Sequence, residues 1–192
     1  GISYAWGEQY LANEDVTNGY GYSFNADGEA LGFKDGDGII AIDGEPIVNS
    51  AAVLSRVILA QNDLDVALLR DGEQCNITVS YEQINSLRQQ DDFGQFCTVL
   101  CPFIIDSLAT ESAQQSGLQV GDRIVGIDGL TEPHFGEYAT LLSRRAGDVT
   151  ELTIERGEEQ IKLIVPVDTE GRIGVMAKAL PYTLRTKNFS LL

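Results

Sequence analysis

Basic residues, cysteine, histidine and long apolar runs are all scarce in this chain. Only 13 Lys and Arg stand against 29 Asp and Glu, a formal charge of −16. Phosphate backbones and anionic bilayers repel such a surface, which excludes nucleic acid as the main partner. The 3 cysteines are too few and too odd for a disulfide framework. Were Cys97 and Cys101 on one extended strand, their Cα atoms would lie about 13 Å apart, beyond disulfide reach. Cys75, Cys97 and Cys101 are therefore expected as buried free thiols. A single histidine, His134, cannot complete a zinc site. The apolar run Pro102-Phe103-Ile104-Ile105 is far too short to span a bilayer. A charged start and apolar stretch of a signal peptide are also missing. With no initiator Met, the chain is expected to be a fragment of something longer.

What is present is a repeat. Gly117-Leu118-Gln119-Val120-Gly121-Asp122-Arg123-Ile124-Val125-Gly126-Ile127-Asp128-Gly129 has an upstream copy 85 positions earlier, from Gly32 to Gly44. The opening Gly, the Gly-Asp pair, the first Ile and the closing Ile-Asp-Gly coincide without a gap. Gly121 and Gly36 suit positive φ, and Asp122 and Asp37 can accept bonds from nearby turn N–H groups. Ile124, Ile127, Ile39 and Ile42 are β-branched core residues. Asp128-Gly129 and Asp43-Gly44 are two-residue hairpin signals.

At 192 residues the chain fits two domains of comparable size. The expected division is a lead-in at 1–15, a first domain at 16–95, a second at 96–180 and a tail at 181–192. In the first half, Asp15 to Asn25 predicts a strand beside a turn. Val53, Leu54, Val57 and Ile58 fall at helical spacing behind Asn49-Ser50. Strands flank the turn at Asp71-Gly72, and the polar stretch from Ser86 to Asp92 reads as the border. The second half repeats the programme. Phe103 to Leu108 is a strand and Thr110 to Ser116 a helical turn. Phe135 to Ala146 is a helix carrying Phe135, Tyr138, Leu141 and Leu142, with Gly147 as its cap. A hairpin turns at Gly157, and a short strand follows the glycine turn at Gly171. The predicted fold is mainly β (α+β): two small, partly open β-barrels, each capped by helices.

At this point the residues resemble PDZ domains of bacterial envelope proteases. Ser112-Ala113, the string from Gly117 to Ile124, and Ile127-Asp128-Gly129 carry the resemblance. It implies circularly permuted domains that bind extended peptides by strand addition. Arg172-Ile173-Gly174-Val175 resembles the carboxylate-binding loop, and Asp92-Phe93-Gly94-Gln95 is its weaker counterpart in the first half. The tandem arrangement is most similar to the periplasmic region of site-2 intramembrane zinc metalloproteases, of the regulator of sigma-E protease type. That resemblance implies a bacterial inner-membrane parent with zinc and its H-E-x-x-H site outside this chain. This fragment itself would be noncatalytic, with no cofactor. It would filter membrane-protein substrates by size, or bind their C-terminal peptides. A PDZ adaptor of a secretion or scaffold protein, and the PDZ region of a periplasmic serine protease, are the alternatives.

For peptide binding, the resemblance points to Arg172, Ile173, Gly174 and Val175 at the carboxylate. Phe135, Tyr138 and Leu142 would form a pocket wall, and Val53 and Val57 take those places in the first half. All the apolar members equally suit a core. Asp35-Gly36-Asp37-Gly38 resembles part of a calcium loop but lacks its other oxygens, so a turn is expected. Ser112, Ser116 and Ser143 have no positioned base in His134.

Overall fold

The computed structural model describes residues 5–180, 182 and 184–190. Tyr4, with the rest of 1–4 from the expected lead-in, and 181, 183 and 191–192 from the expected tail lie outside the described residues. The chain divides into two compact units at Leu100/Cys101. That border lies beyond the polar stretch, because Ser86 and Leu87 are taken up in a helix that belongs to the first unit.

In the first unit, β1 (Ala5–Tyr10) leads to α1 (Asn13–Thr17), β2 (Tyr22–Phe24), α2 (Ala26–Ala30), β3 (Gly38–Ile42) and β4 (Glu45–Pro46). Then come α3 (Ala51–Ile58), β5 (Leu64–Arg70), β6 (Glu73–Val79), α4 (Tyr81–Leu87), a 3-10 turn at Phe93–Gln95 and β7 (Cys97–Val99). The second unit runs β8 (Phe103–Leu108), α5 (Glu111–Gln115), β9 (Arg123–Ile127), α6 (Phe135–Ser143), β10 (Val149–Arg156), β11 (Glu159–Pro166) and β12 (Val175–Ala177). Finally β13 (Arg185–Ser190) returns to the first unit, where it pairs antiparallel with β1.

Both units follow one plan. A central hairpin pair packs as β4-β3-β5-β6 in the first and as β9-β10-β11 within β11-β10-β9-β8-β12 in the second. In each a late strand returns to pair with the strand that leads into the repeat motif, β7 with β2 and β12 with β8. This is the mainly β architecture expected, two partly open barrels with helices packed on them. Apolar residues alternating along β5 and β10 fill the two cores: Val66 and Leu68 in one, Leu152 and Ile154 in the other, all 0% exposed. The hairpin signals fold as two-residue turns, with φ of 52° and 77° at Asp43-Gly44 and 49° and 81° at Asp128-Gly129.

Local differences from the sequence reading have physical causes. The strand expected beside a turn within Asp15–Asn25 is β2 (Tyr22–Phe24), while the residues before the turn form α1, which buried Asn13 ties to the sheet. Its Nδ2 donates to the carbonyls of Ile39 (2.7 Å) and Ile47 (3.1 Å), and its Oδ1 accepts from the Tyr22 hydroxyl at 2.6 Å. The expected lead-in and tail meet: β1 pairs with β13, and Arg185 Nη2 reaches Asp15 Oδ1 at 2.9 Å. The helix from Phe135 ends at Ser143, and Gly147 lies past its cap at Arg144. None of the three cysteines forms a disulfide among the described residues; Cys97 is buried, while Cys75 and Cys101 are half-buried. No helix among the described residues is long and apolar enough to cross a membrane.

Each repeat copy is anchored by an ion pair. Arg70 donates from Nε and Nη2 to the two oxygens of Asp37, both at 2.8 Å, and from Nη2 to the Gly32 carbonyl at 2.9 Å. Arg156 does the same to Asp122 at 2.8 and 2.9 Å and to the Gly117 carbonyl at 2.9 Å. Burial pushes the Asp122 carboxyl up, but the Arg156 bonds and the Gln119 N–H outweigh it, so it titrates below its ordinary range. A carboxyl lowered on folding stabilises fully above its unfolded value of about 3.9 and loses that contribution as pH falls through the folded value. Asp122→Asn should therefore lower the urea midpoint at pH 7, and its midpoint should fall less than the wild type's between about pH 4 and 2.

Among the described residues, the Thr150 hydroxyl is a buried polar group without a hydrogen-bond partner. Thr150 is 1% exposed. It faces Val165 in the ladder, as Leu64 faces Val79 in the first unit. Thr150→Val should raise the unfolding free energy by about 1 kcal/mol, measured by urea denaturation, because it removes an unsatisfied polar atom without changing shape.

Candidate functional site

An edge strand and a helix frame the site. β12 pairs with β8 along one side and, among the described residues, has no strand on its other. α6 begins at a fixed point: Phe135 N–H donates to the Cys101 carbonyl at 2.7 Å, and His134 Nδ1 accepts the Cys101 N–H at 3.2 Å. Glu137 in its first turn complements the helix dipole. The Phe135 ring packs edge-on against Phe103, centroids 4.8 Å apart, and remains 40% exposed.

A cavity of about 450 Å³ lies here, with walls from Phe103, Phe135, Ala139, Leu142, Ile173 and Val175. The loop Asp168–Gly174 closes one end, with Arg172 beside it. In this loop the Arg172 N–H is bound by Asp168 Oδ1 at 2.9 Å. The next two N–H groups, of Ile173 and Gly174, donate to nothing among the described residues. The Gly174 carbonyl accepts from Ala109 at 2.8 Å and Thr110 at 3.3 Å, which holds the loop against the start of α5. Gly174 has φ +79°, and a Cβ there would sit 2.0 Å from Thr110 Oγ1. The site therefore offers an apolar trough beside an open strand edge, ending at two unbonded donors. An extended chain with an apolar end group and a terminal carboxylate matches that chemistry.

Of the predicted residues, Phe135, Leu142, Arg172, Ile173, Gly174 and Val175 come together on this groove. Tyr138 does not; it lies beneath in the core at 1% exposure, its hydroxyl accepting the Glu132 N–H at 3.0 Å. Burial pushes the Tyr138 phenol up. Val53 and Val57, both 0% exposed, are likewise core residues, and the groove-side positions of α3 are Ser50, Ala51 and Leu54. The correction has one cause: positions at 3.6 spacing mark the face toward the sheet, and a groove is lined from the shoulder of that face. Ala139 was missed for its size, although it lies four residues after Phe135 and so on the same shoulder. Thr110 and Asp168 carried no signal beyond the capping pattern and the glycine turn.

The first unit's counterpart is far smaller. Its cavity measures about 130 Å³, and Leu54 stands where the second unit has Ala139. In place of a glycine loop comes the 3-10 turn, whose N–H groups are already used, Gln95 to the Asp92 carbonyl and Phe96 to that of Phe93. Phe93 and Phe96 are 3% and 0% exposed, and Phe96 packs 6.2 Å from the Phe33 ring. The expected loop Asp92–Gln95 thus serves the core. Arg88 of the same insertion bonds the Ile58 and Ala60 carbonyls at the end of α3. Burial pushes the Cys97 thiol on β7 up to about 12, so it is protonated and inert.

Other candidates dissolve into local structure. Asp35 accepts the Phe24 N–H at 2.7 Å and Asp37 is paired with Arg70, so the calcium-like string is a turn. Ser116 and Ser143 donate to the carbonyls of Ala113 and Thr140 at 2.6 and 2.7 Å. Among the described residues, no group of three or more His, Cys, Asp or Glu side chains is placed to hold a metal ion.

Comparison with known proteins gives partial matches. The periplasmic serine endoprotease DegP of Escherichia coli K12 is 28% identical over 154 residues, which is 73% of this chain and 32% of that protein. The regulator of sigma-E protease RseP of Salmonella typhimurium is 32% identical over 87 residues, 42% of this chain and 19% of that protein. This chain thus spans about a third or less of the relatives it matches. A solved PDZ domain, from the SdrC-like protein of Listeria monocytogenes, overlays at a TM-score of 0.35 with 20% identity, covering 42% of this chain and 90% of that domain. No family model matches.

Gly174→Ala should lower the stability of the second unit by roughly 2 kcal/mol, from positive-φ strain and the clash with Thr110. In a Thr110→Ala background the cost should shrink, since Oγ1 is gone. A double-mutant cycle by urea denaturation measures the coupling.

Proposed function

We propose that this chain is a noncatalytic tandem PDZ region of a bacterial envelope protease, and that its second unit captures peptide C termini. The ligand would add as a strand on β12, with its last side chain between Phe135 and Leu142. Its carboxylate would meet the N–H groups of Ile173 and Gly174. The single observation that carries the reading is this pair of unbonded donors at the end of an apolar groove beside an unpaired strand edge. The proposal assigns no peptide to the first unit, whose groove is far smaller.

Two parents have specific support. In the preferred reading the parent is a periplasm-facing, inner-membrane zinc protease of the site-2 type, whose zinc site lies outside this chain. Here the region filters or recognises membrane-protein substrates. The match to the regulator of sigma-E protease supports it, as does the pairing of β1 with β13. That pairing has the chain enter and leave one unit side by side, the geometry of a module inserted between two neighbouring segments of a parent. The second reading is the PDZ pair of a periplasmic serine protease, supported by the longer alignment to DegP. An H-E-x-x-H segment in an apolar stretch upstream in the gene supports the first, and an upstream trypsin-like domain the second.

The test is an array of octapeptides with free C termini probed with the 192-residue chain. Wild type should bind a subset ending in apolar residues. Ala139→Leu, which fills the groove from an exposed position, should weaken binding at least tenfold at an unchanged urea midpoint. Undiminished binding by Ala139→Leu would place the peptide elsewhere. In the full protein, a pure size filter would leave substrate choice unaffected by this substitution.

A further inference from the structure

The closed end of the groove is organised by one side chain. Asp168 Oδ1 accepts the N–H of Glu170 and that of Arg172, both at 2.9 Å. Its backbone N–H donates to the Arg172 carbonyl at 2.9 Å, and its carbonyl accepts from Gly147 at 2.9 Å and Gly171 at 3.1 Å. Gly147 belongs to the turn that follows α6, so the same residue joins the loop to the helix side of the groove. Gly171 seals that junction: a Cβ there would lie 2.7 Å from the Ser143 Cα.

These bonds decide which donors remain. With the Glu170 and Arg172 N–H groups turned onto Asp168, the next two N–H groups, of Ile173 and Gly174, are left at the end of the trough. We propose that Asp168 is a positioning residue for chain-end recognition: it pre-forms the donor pair that receives the terminal carboxylate. The inference rests on the peptide-binding reading above. Without Asp168, the loop gains conformations in which the donors are misplaced. Apparent affinity then falls with the fraction of molecules in the competent state. The side chain acts as an acceptor, and its charge works against the ligand, because a second carboxylate comes to the same end of the groove. Asparagine offers the same acceptor without that repulsion.

Positioning therefore separates from charge. The tightest peptide from the array is labelled with fluorescein and prepared as its free acid and its C-terminal amide, and anisotropy gives both affinities. Wild type should prefer the acid. Asp168→Ala should lose about tenfold for the acid with little change for the amide, while Asp168→Asn should keep the wild-type preference or increase it. A wild-type acid-to-amide ratio in Asp168→Ala, or an Asp168→Asn variant as weak as Asp168→Ala, overturns the role. Amide hydrogen exchange in the wild type is the readout should Asp168→Ala not fold. The Glu170 and Arg172 amides should exchange at least tenfold more slowly than those of Ile173 and Gly174, and the latter two should slow when peptide is added. Equal rates at all four overturn it as well. If no peptide on the array binds wild type, the peptide-binding reading itself fails and takes this role with it. Binding that ignores Asp168 removes this role alone.

Discussion

The buried Asp–Arg fork, present once in each unit, is the constraint on which the rest is hung. In both units the acid sits in a glycine turn, 1% exposed, and the arginine at the far end of the central strand, β5 or β10. The guanidinium binds the carboxylate through two nitrogens and also reaches a carbonyl at the head of the turn. Planar two-point geometry fixes direction as well as distance. It therefore sets the turn relative to the sheet. The turn in turn presents its carbonyls and N–H groups to the first strand: Tyr22 N–H to Asp37 and Gly36 N–H to Tyr22, then Ile105 N–H to Asp122 and Gly121 N–H to Ile105. Strand β8 is placed by those bonds, and β12 by β8.

From a shared frame, the divergence that matters for the groove lies at the junction between the central hairpin and the closing strand. The second unit crosses it with a short glycine loop pinned by Asp168. The first inserts α4 and the 3-10 turn, and their aromatic residues turn inward. Backbone donors that are idle in one unit are consumed in the other, and a volume of about 450 Å³ becomes about 130 Å³. A shared plan is thus no guide to the size of a groove; the local backbone bonds are.

The repeat, its turns and the strand order were legible in the sequence because glycine, Asp-Gly pairs and β-branched spacing act locally. Asp37 and Asp122 were read correctly as turn residues, but the partnership with Arg70 and Arg156 was not, since those arginines lie over 30 positions away. Their identical place just before each hairpin turn was the available clue. The loop at Arg172–Val175 was legible through its glycines. The helical wall was half legible: Phe135 and Leu142 reach the groove, while Tyr138, Val53 and Val57 face the sheet, because apolar periodicity reports burial and is silent about the shoulder. The small size of the first groove was hidden, since Phe93 and Phe96 turn inward through tertiary packing that no local pattern encodes.

Strand β12 spans only Val175–Ala177. An edge of three residues offers a partner very few backbone bonds, so no long strand of another molecule can zip onto it. Brevity here is protection against self-assembly, since long bare edges are where sheets stick to one another. It also sets a tempo. A guest held by a few ladder bonds and one anchored end leaves quickly, because dissociation rather than arrival governs most differences in affinity. Under the proposed peptide-binding reading, such a groove would sample many chain ends briefly and hold none.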